Sequence, residues 1–109
     1  MSVGAEIWRQ LGGKRFEVMT GANHFVSDKN SLRMILPRNG SKANRLEVTL
    51  NGLDLYDMRF YRQTGGTWDS KKFEFRPIKV VEDKTYTDIY CDQLEEIFTQ
   101  HTGMYTRLF

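Results

Sequence analysis

A chain of 109 residues with 39% apolar, 13% aromatic and 28% charged side chains is long enough for one hydrophobic core and too short for two. It has no apolar run of membrane-spanning length, and its opening residues M-S-V-G-A-E-I-W-R-Q-L lack the basic and apolar regions of a secretory leader. One cysteine, Cys91, excludes an intrachain disulfide and suits a reducing compartment, so a cytoplasmic protein with a single domain over residues 1–109 is expected.

The net charge of +2 is uneven along the chain. Residues 1–46 hold eight Lys/Arg against three acids, a balance of +5, and residues 47–109 hold eight against eleven, a balance of −3. Such an asymmetry suits a polar binding surface or head-to-tail association, and it also suits ordinary solvated faces.

Taken in order, Ser2 is a candidate N-cap for a short helix in which Val3, Ile7 and Leu11 share a face beside Trp8, ended by Gly12-Gly13. The segment K-R-F-E-V-M-T from Lys14 alternates, with Phe16 and Val18 on one side, which predicts a half-buried strand. Residues 20–31 are rich in turn formers and read as a loop holding Phe25 and Val26. Leu32, Met34 and Leu36 mark the inner side of a second strand closed by Pro37. Leu46, Val48 and Leu50 mark a third, Asn51-Gly52 and Asp54 turn the chain, and Tyr56, Met58 and Phe60 mark a fourth. The T-G-G-T of residues 64–67 predicts a hairpin tip. Phe73 and Phe75, then Ile78 and Val80 after the phase shift at Pro77, predict a fifth strand at the sheet edge. An exposed edge invites a second copy, so a monomer or a weak homodimer is expected.

The last element is a helix over about residues 88–102, with Thr87 as N-cap, Asp88 in the first turn, a stripe of Tyr90, Leu94, Ile97 and Phe98, and Gly103 as the left-handed stop. Together these predict an α+β fold: an antiparallel meander of about five strands with an N-terminal and a C-terminal helix packed on one face.

Catalytic chemistry finds no support in these residues. His24 and His101 have no partner at metal-ligand spacing, and His101 suits the negative end of the last helix. Cys91 sits among Asp88, Asp92 and Glu95, the wrong surroundings for a thiolate, and reads as a half-buried packing residue. Neither Asp54 with Asp57 nor Glu95 with Glu96 converges as a carboxylate pair. No cofactor and no metal is expected.

Two features point to a polyanion instead. The loop P-R-N-G-S-K-A-N-R carries Arg38, Lys42 and Arg45 around Gly40, a phosphate-binding composition without the spacing of a known phosphate loop. The same composition suits a solvated hairpin connection. The outward set of the predicted sheet contains Arg15, Arg33, Arg59, Tyr61, Lys72 and Arg76, with Glu17, Glu47, Asp57 and Glu74 among them. Arginines beside an aromatic on an open sheet suit single-stranded nucleic acid, and cross-strand Arg–Glu pairs suit simple sheet stabilisation. The candidate contacts are Arg33, Arg38, Lys42, Arg45, Arg59 and Tyr61.

The motifs Q-L-G-G at residues 10–13, F-x-x-M-T-G-A at 16–22, L-P-R at 36–38, Y-C-D-Q-L at 90–94 and F-T-x-x-T-G-M-Y-T at 98–106 resemble a family of small proteins carried by bacteriophages and integrated mobile elements. The likeness runs over nearly the whole chain. It implies a phage-related setting, no settled activity and no catalytic residue to carry over; its shared glycines and tyrosine tail suggest turns and a tail packed back on the sheet. Two functions stay open: a module that contacts nucleic acid through the basic half, and an accessory factor that binds a host or phage protein through the sheet edge or the acidic helix.

Overall fold

The computed structural model describes residues 3–66 and 68–106. In chain order its elements are α1 (Val3–Leu11), α2 (Lys14–Thr20), β1 (Asn23–Ser27), β2 (Ser31–Ile35), β3 (Arg45–Leu50), β4 (Tyr56–Thr64), β5 (Trp68–Asp69), β6 (Glu74–Phe75), β7 (Lys79–Ile89), a 3₁₀ turn at Cys91–Gln93, and α3 (Leu94–Thr102). Five strands form one antiparallel sheet in the order β1-β2-β3-β4-β7, and β5 pairs with β6 as a separate hairpin. The expected α+β meander with a helix from each end of the chain is the fold found.

Alternation explains the sheet. Leu32, Met34 and Leu36, then Leu46 and Val48, then Tyr56, Met58 and Phe60 are buried on one face. Ile7 and Leu11 of α1, Phe16 of α2, and Leu94 and Phe98 of α3 close over them in one continuous core. Three of its aromatics stack edge to face or tilted, with ring centroids 4.9 Å apart for Phe16–Phe98 and 6.4 Å for Phe60–Phe98. Gly4 lets α1 lie directly on β1, since a Cβ there would sit 2.1 Å from Ser27 Oγ. The candidate cap Ser2, and Thr67 of the expected hairpin tip, lie outside the described residues.

Several expectations need correction. The segment from Lys14 is a helix, not a strand. Phe16 and Thr20, one turn apart, are buried together, whereas Val18 is 73% exposed. The Thr20 hydroxyl donates back to Phe16 O at 2.7 Å, and positive-φ glycines, Gly13 and Gly21, bracket the turn pair. Arg15 and Glu17 therefore leave the sheet face. Residues 23–27, expected as loop, add an outer strand beside β2, its register broken by a bulge between Asn23 and Val26.

The stretch 73–80 is not an inward-facing strand. Phe73, Phe75, Ile78 and Val80 are all exposed, and Pro77 separates the small hairpin from β7 instead of interrupting a strand. Glu74, Lys72 and Arg76 belong to this hairpin region and not to the sheet face. The fifth strand of the sheet is β7; it lies at an edge, but it begins at Lys79, so Pro77, on which the edge expectation rested, is not part of it.

The last helix starts later than its stripe suggests. β7 pairs with β4 as far as Tyr56↔Ile89, so Thr87 and Asp88 are strand residues and Tyr90 is 62% exposed. Asp88 takes a positive φ of 55° and is held there by Asn51 Nδ2 at 2.9 Å and by its own N–H to Asp57 Oδ1 at 3.0 Å. Leu94, Phe98 and Thr102 make the buried face, and Gly103 closes the helix with φ 76° and a bond to Thr99 O, as expected. Tyr105 does not pack back on the sheet; it is exposed, and the tail is anchored instead by buried Thr106.

Candidate nucleic-acid interface

The open face of the sheet carries a transverse row of charge set by strand register. Arg33 of β2 lies opposite Glu47 of β3, which lies opposite Arg59 of β4. The ion pairs follow the row: Arg33–Glu47 at 3.9 Å, Arg59–Glu47 at 3.6 Å, and a two-pronged Arg59–Glu82 contact at 2.6 Å and 2.5 Å onto β7. The hydrogen bonds to Glu82 raise the Arg59 guanidinium above its ordinary range, and in return Arg59 holds the Glu82 carboxyl below its own. Arg59 also lies 4.2 Å over the Tyr61 ring, and Tyr61 is only 6% exposed. Arg33, Arg59 and Tyr61 are thus brought together but engaged with each other and with acids. A base could not stack on Tyr61 without displacing Arg59.

The loop joining β2 to β3 behaves differently. Its composition suits a solvated connection, yet it is braced from within. Asn39 Nδ2 donates to Pro37 O at 2.8 Å and to Ala43 O at 3.0 Å, and Ser41 N donates to Asn39 Oδ1 at 2.8 Å. Ala43 is buried, and Gly40 N donates to Thr102 O at 2.8 Å, which supplies a partner to a last-turn carbonyl of α3. Asn44 continues the ladder with its side chain, donating to Gln63 O at 2.9 Å and accepting from Gln63 N at 2.8 Å.

On this frame Arg38 and Lys42 stand exposed. Arg45 is half-buried with Nη1 donating to Asn44 O at 3.1 Å. Arg62, at the end of β4, reaches Lys42 O at 3.3 Å and joins the group. None of the four forms an ion pair among the described residues. Arg62 escaped the sequence reading because only strand pairing brings it to the loop.

No family model, curated protein or solved structure matches the chain.

The opposite end of α3 is acidic. A groove of about 640 Å³ runs between α1, the 3₁₀ turn, α3 and the tail, lined among others by Cys91, Asp92, Glu95, Glu96 and Tyr105. Arg15 spans its base, pairing with Glu95 at 2.8 Å and donating to Thr106 O at 3.2 Å. Cys91 is exposed and not a packing residue, because the 3₁₀ turn holds it off the core. Among the described residues no group of His, Cys, Asp and Glu has the arrangement of a metal site. Three carboxylates, Asp92, Glu95 and Glu96, line this end, which disfavours a polyanion there.

His101 does more than face the helix dipole. Its Nε2 lies 2.8 Å from Asp83 Oδ2 and its Nδ1 lies 3.1 Å from Tyr86 OH. Both ring nitrogens are thus engaged, one by a carboxylate and one by a hydroxyl. The Phe60 ring stacks on the imidazole at 4.2 Å. This chain ties the last turn of α3 to the edge strand β7, and thereby steadies the helix end that holds Gly40.

Proposed function

We propose that this protein is a non-enzymatic nucleic-acid-binding module that takes phosphates on Arg38, Lys42, Arg45 and Arg62. The observation that carries this reading is the group of four cations without acidic partners among the described residues, three on or beside a loop fixed to α3 and β4 and the fourth, Arg62, reaching that loop from β4. Fixed cations lose less freedom on meeting a phosphate than mobile ones, and the guanidinium fork suits phosphate oxygens. Arg33, Arg59 and Tyr61, three of the contacts expected from sequence, contribute little in this reading because Glu47 and Glu82 already pair with the two arginines and Arg59 covers the Tyr61 ring. The likeness of the motifs to small phage-borne proteins supports a mobile-element setting.

The test is titration of labelled oligonucleotides at several salt concentrations. Affinity should fall with a log–log slope of about −0.7 to −0.9 per phosphate engaged. Replacing Arg38, Lys42 and Arg45 together by alanine should flatten the slope and leave the fold intact. Absence of binding at about 50 mM salt, where screening is weak, would refute the proposal.

A second reading draws on a different observation. β7 presents an eleven-residue edge, and the acidic groove lies at the other end of α3. Both suit a protein partner, added as a strand or seated as a basic segment. A stoichiometric partner lost on changing β7 edge residues, together with no salt-dependent oligonucleotide binding, would favour it.

A further inference from the structure

Beyond the loop, β4 and β7 run on past the helices and end in the β5–β6 hairpin. Arg62 pairs with Val81, Gln63 with Val80 and Thr64 with Lys79, and Gly66 N donates to Arg76 O at 2.8 Å. This arm carries large aromatic side chains that stand mostly in solvent: Trp68 is 59% exposed, Phe73 79% and Phe75 62%. A small protein that had no use for these rings in solvent would gain by replacing them with polar residues, and a cluster of exposed aromatics marks a contact surface. The positions between and beside them are basic. Lys71, Lys72, Arg76 and Lys79 are all exposed, and the same stretch of sequence holds two acids, Asp69 and Glu74.

The arm is continuous with the cationic loop. Gln63 is bonded on one side to Asn44 of the loop and paired on the other with Val80 of the arm, and Arg62 touches Lys42 O. At about 3.3 Å per residue, the step from Arg62 to Gly66 is only about 13 Å. The cationic loop and the base of the arm therefore meet at one end of the sheet.

Resting on the proposed nucleic-acid function, we infer that the β5–β6 arm is a base-stacking element and that the ligand is single-stranded nucleic acid. Rings and cations interleaved along an extended path match a single strand, whose bases are free to stack while its phosphates follow the charge. A duplex hides its base faces and offers the arm only its backbone. Charge complementarity selects this occupant over a second copy of the chain, since two arms meeting face to face would bring their lysines and arginines together.

The experiment compares an oligothymidine of about sixteen nucleotides with a hairpin duplex of the same length, by fluorescence anisotropy at about 50 mM salt. The single strand should bind at least about fivefold tighter, the lower bound for one stacked base. The variant Trp68→Ala/Phe73→Ala/Phe75→Ala should lose that preference while keeping the salt slope and the far-UV circular dichroism of the parent. Phe73→Ala alone, at the most exposed ring, guards against a misfolded triple variant and should lose about fivefold on its own. In a Trp8→Phe background, Trp68 is the sole fluorophore of its kind and should be quenched by the single strand and not by the duplex. Equal affinities with no effect of the arm variants would overturn the stacking role and leave the phosphate-binding loop standing. Binding to neither probe would overturn both. A concentration-dependent dimer in sedimentation that the arm variants abolish, without a change in oligonucleotide affinity, would assign the rings to self-association and also overturn the inference.

Discussion

Leu94→Ala tests whether α3 is what closes the core. Leu94 is fully buried at the start of the helix, in the same cluster as Phe98 and Phe60. The substitution removes three carbons, and at ~0.8 kcal/mol for each buried methylene the lost transfer energy is about 2.4 kcal/mol. If about 40 Å³ of the space survives relaxation, the cavity adds about 1 kcal/mol, for a total near 3 kcal/mol. With a urea m-value of about 1–1.5 kcal/mol per molar, the midpoint should fall by about 2–3 M with an unchanged slope. The matched control is Tyr90→Ala, at a position that helical spacing places on the same stripe but that stands exposed before the 3₁₀ turn. It should cost less than about 0.5 kcal/mol. Equal losses for the two variants would mean that the helix begins before Cys91 and that the packing described for α3 is wrong.

Gly103→Ala should destabilise by about 1 kcal/mol, because the residue holds φ 76° at the end of α3 although the space around it is open; unfolding in urea measures this, and a neutral result would refute the left-handed cap. Glu82→Gln should raise affinity for oligonucleotides, since it releases Arg59, and should remove part of the acid sensitivity of the fold. The sign follows from the carboxyl of Glu82 lying below its ordinary value of 4.5: its stabilising effect is present above that value and is lost as pH falls through the lower folded one. In urea melts the stability gap between parent and variant should therefore be widest near neutral pH and narrow as pH falls below the ordinary carboxylate value.

The sheet was legible where one face is covered and the other wet. Leu46 and Val48 facing Met58 and Phe60 is a pattern that no helix accommodates, and the α+β assignment follows from such strands. Short segments with two apolar positions carry less information. Phe16-x-Val18 and Phe73-x-Phe75 both alternate, yet one is a helical turn pair and the other an exposed arm. What decides is whether a second surface reaches them: α3 reaches Phe16, whereas Phe75 pairs across the small hairpin with Trp68 and stays 62% exposed. β1 was hidden because its turn formers allow an outer strand as readily as a loop, and pairing with β2 is not a local property. The candidate site divides in the same way. Arg38, Lys42 and Arg45 were visible as a loop composition, whereas the neutralisation of Arg59, the arrival of Arg62 and the bonding of His101 to Asp83 and Tyr86 depend on register between distant strands.

The bond from Gly40 to Thr102, and the burial of Leu94 and Phe98 against strands made much earlier, also bear on biosynthesis. A nascent chain that has emerged only as far as β7 presents the apolar side of a nearly finished sheet with no lid. It cannot hold its cationic loop in place either, because the carbonyl that anchors Gly40 has not yet been translated. Order in the loop and protection of the sheet from proteolysis should therefore arrive together, once α3 has been made. A message cut short within α3 would yield a product with its apolar sheet face uncovered, a substrate for degradation.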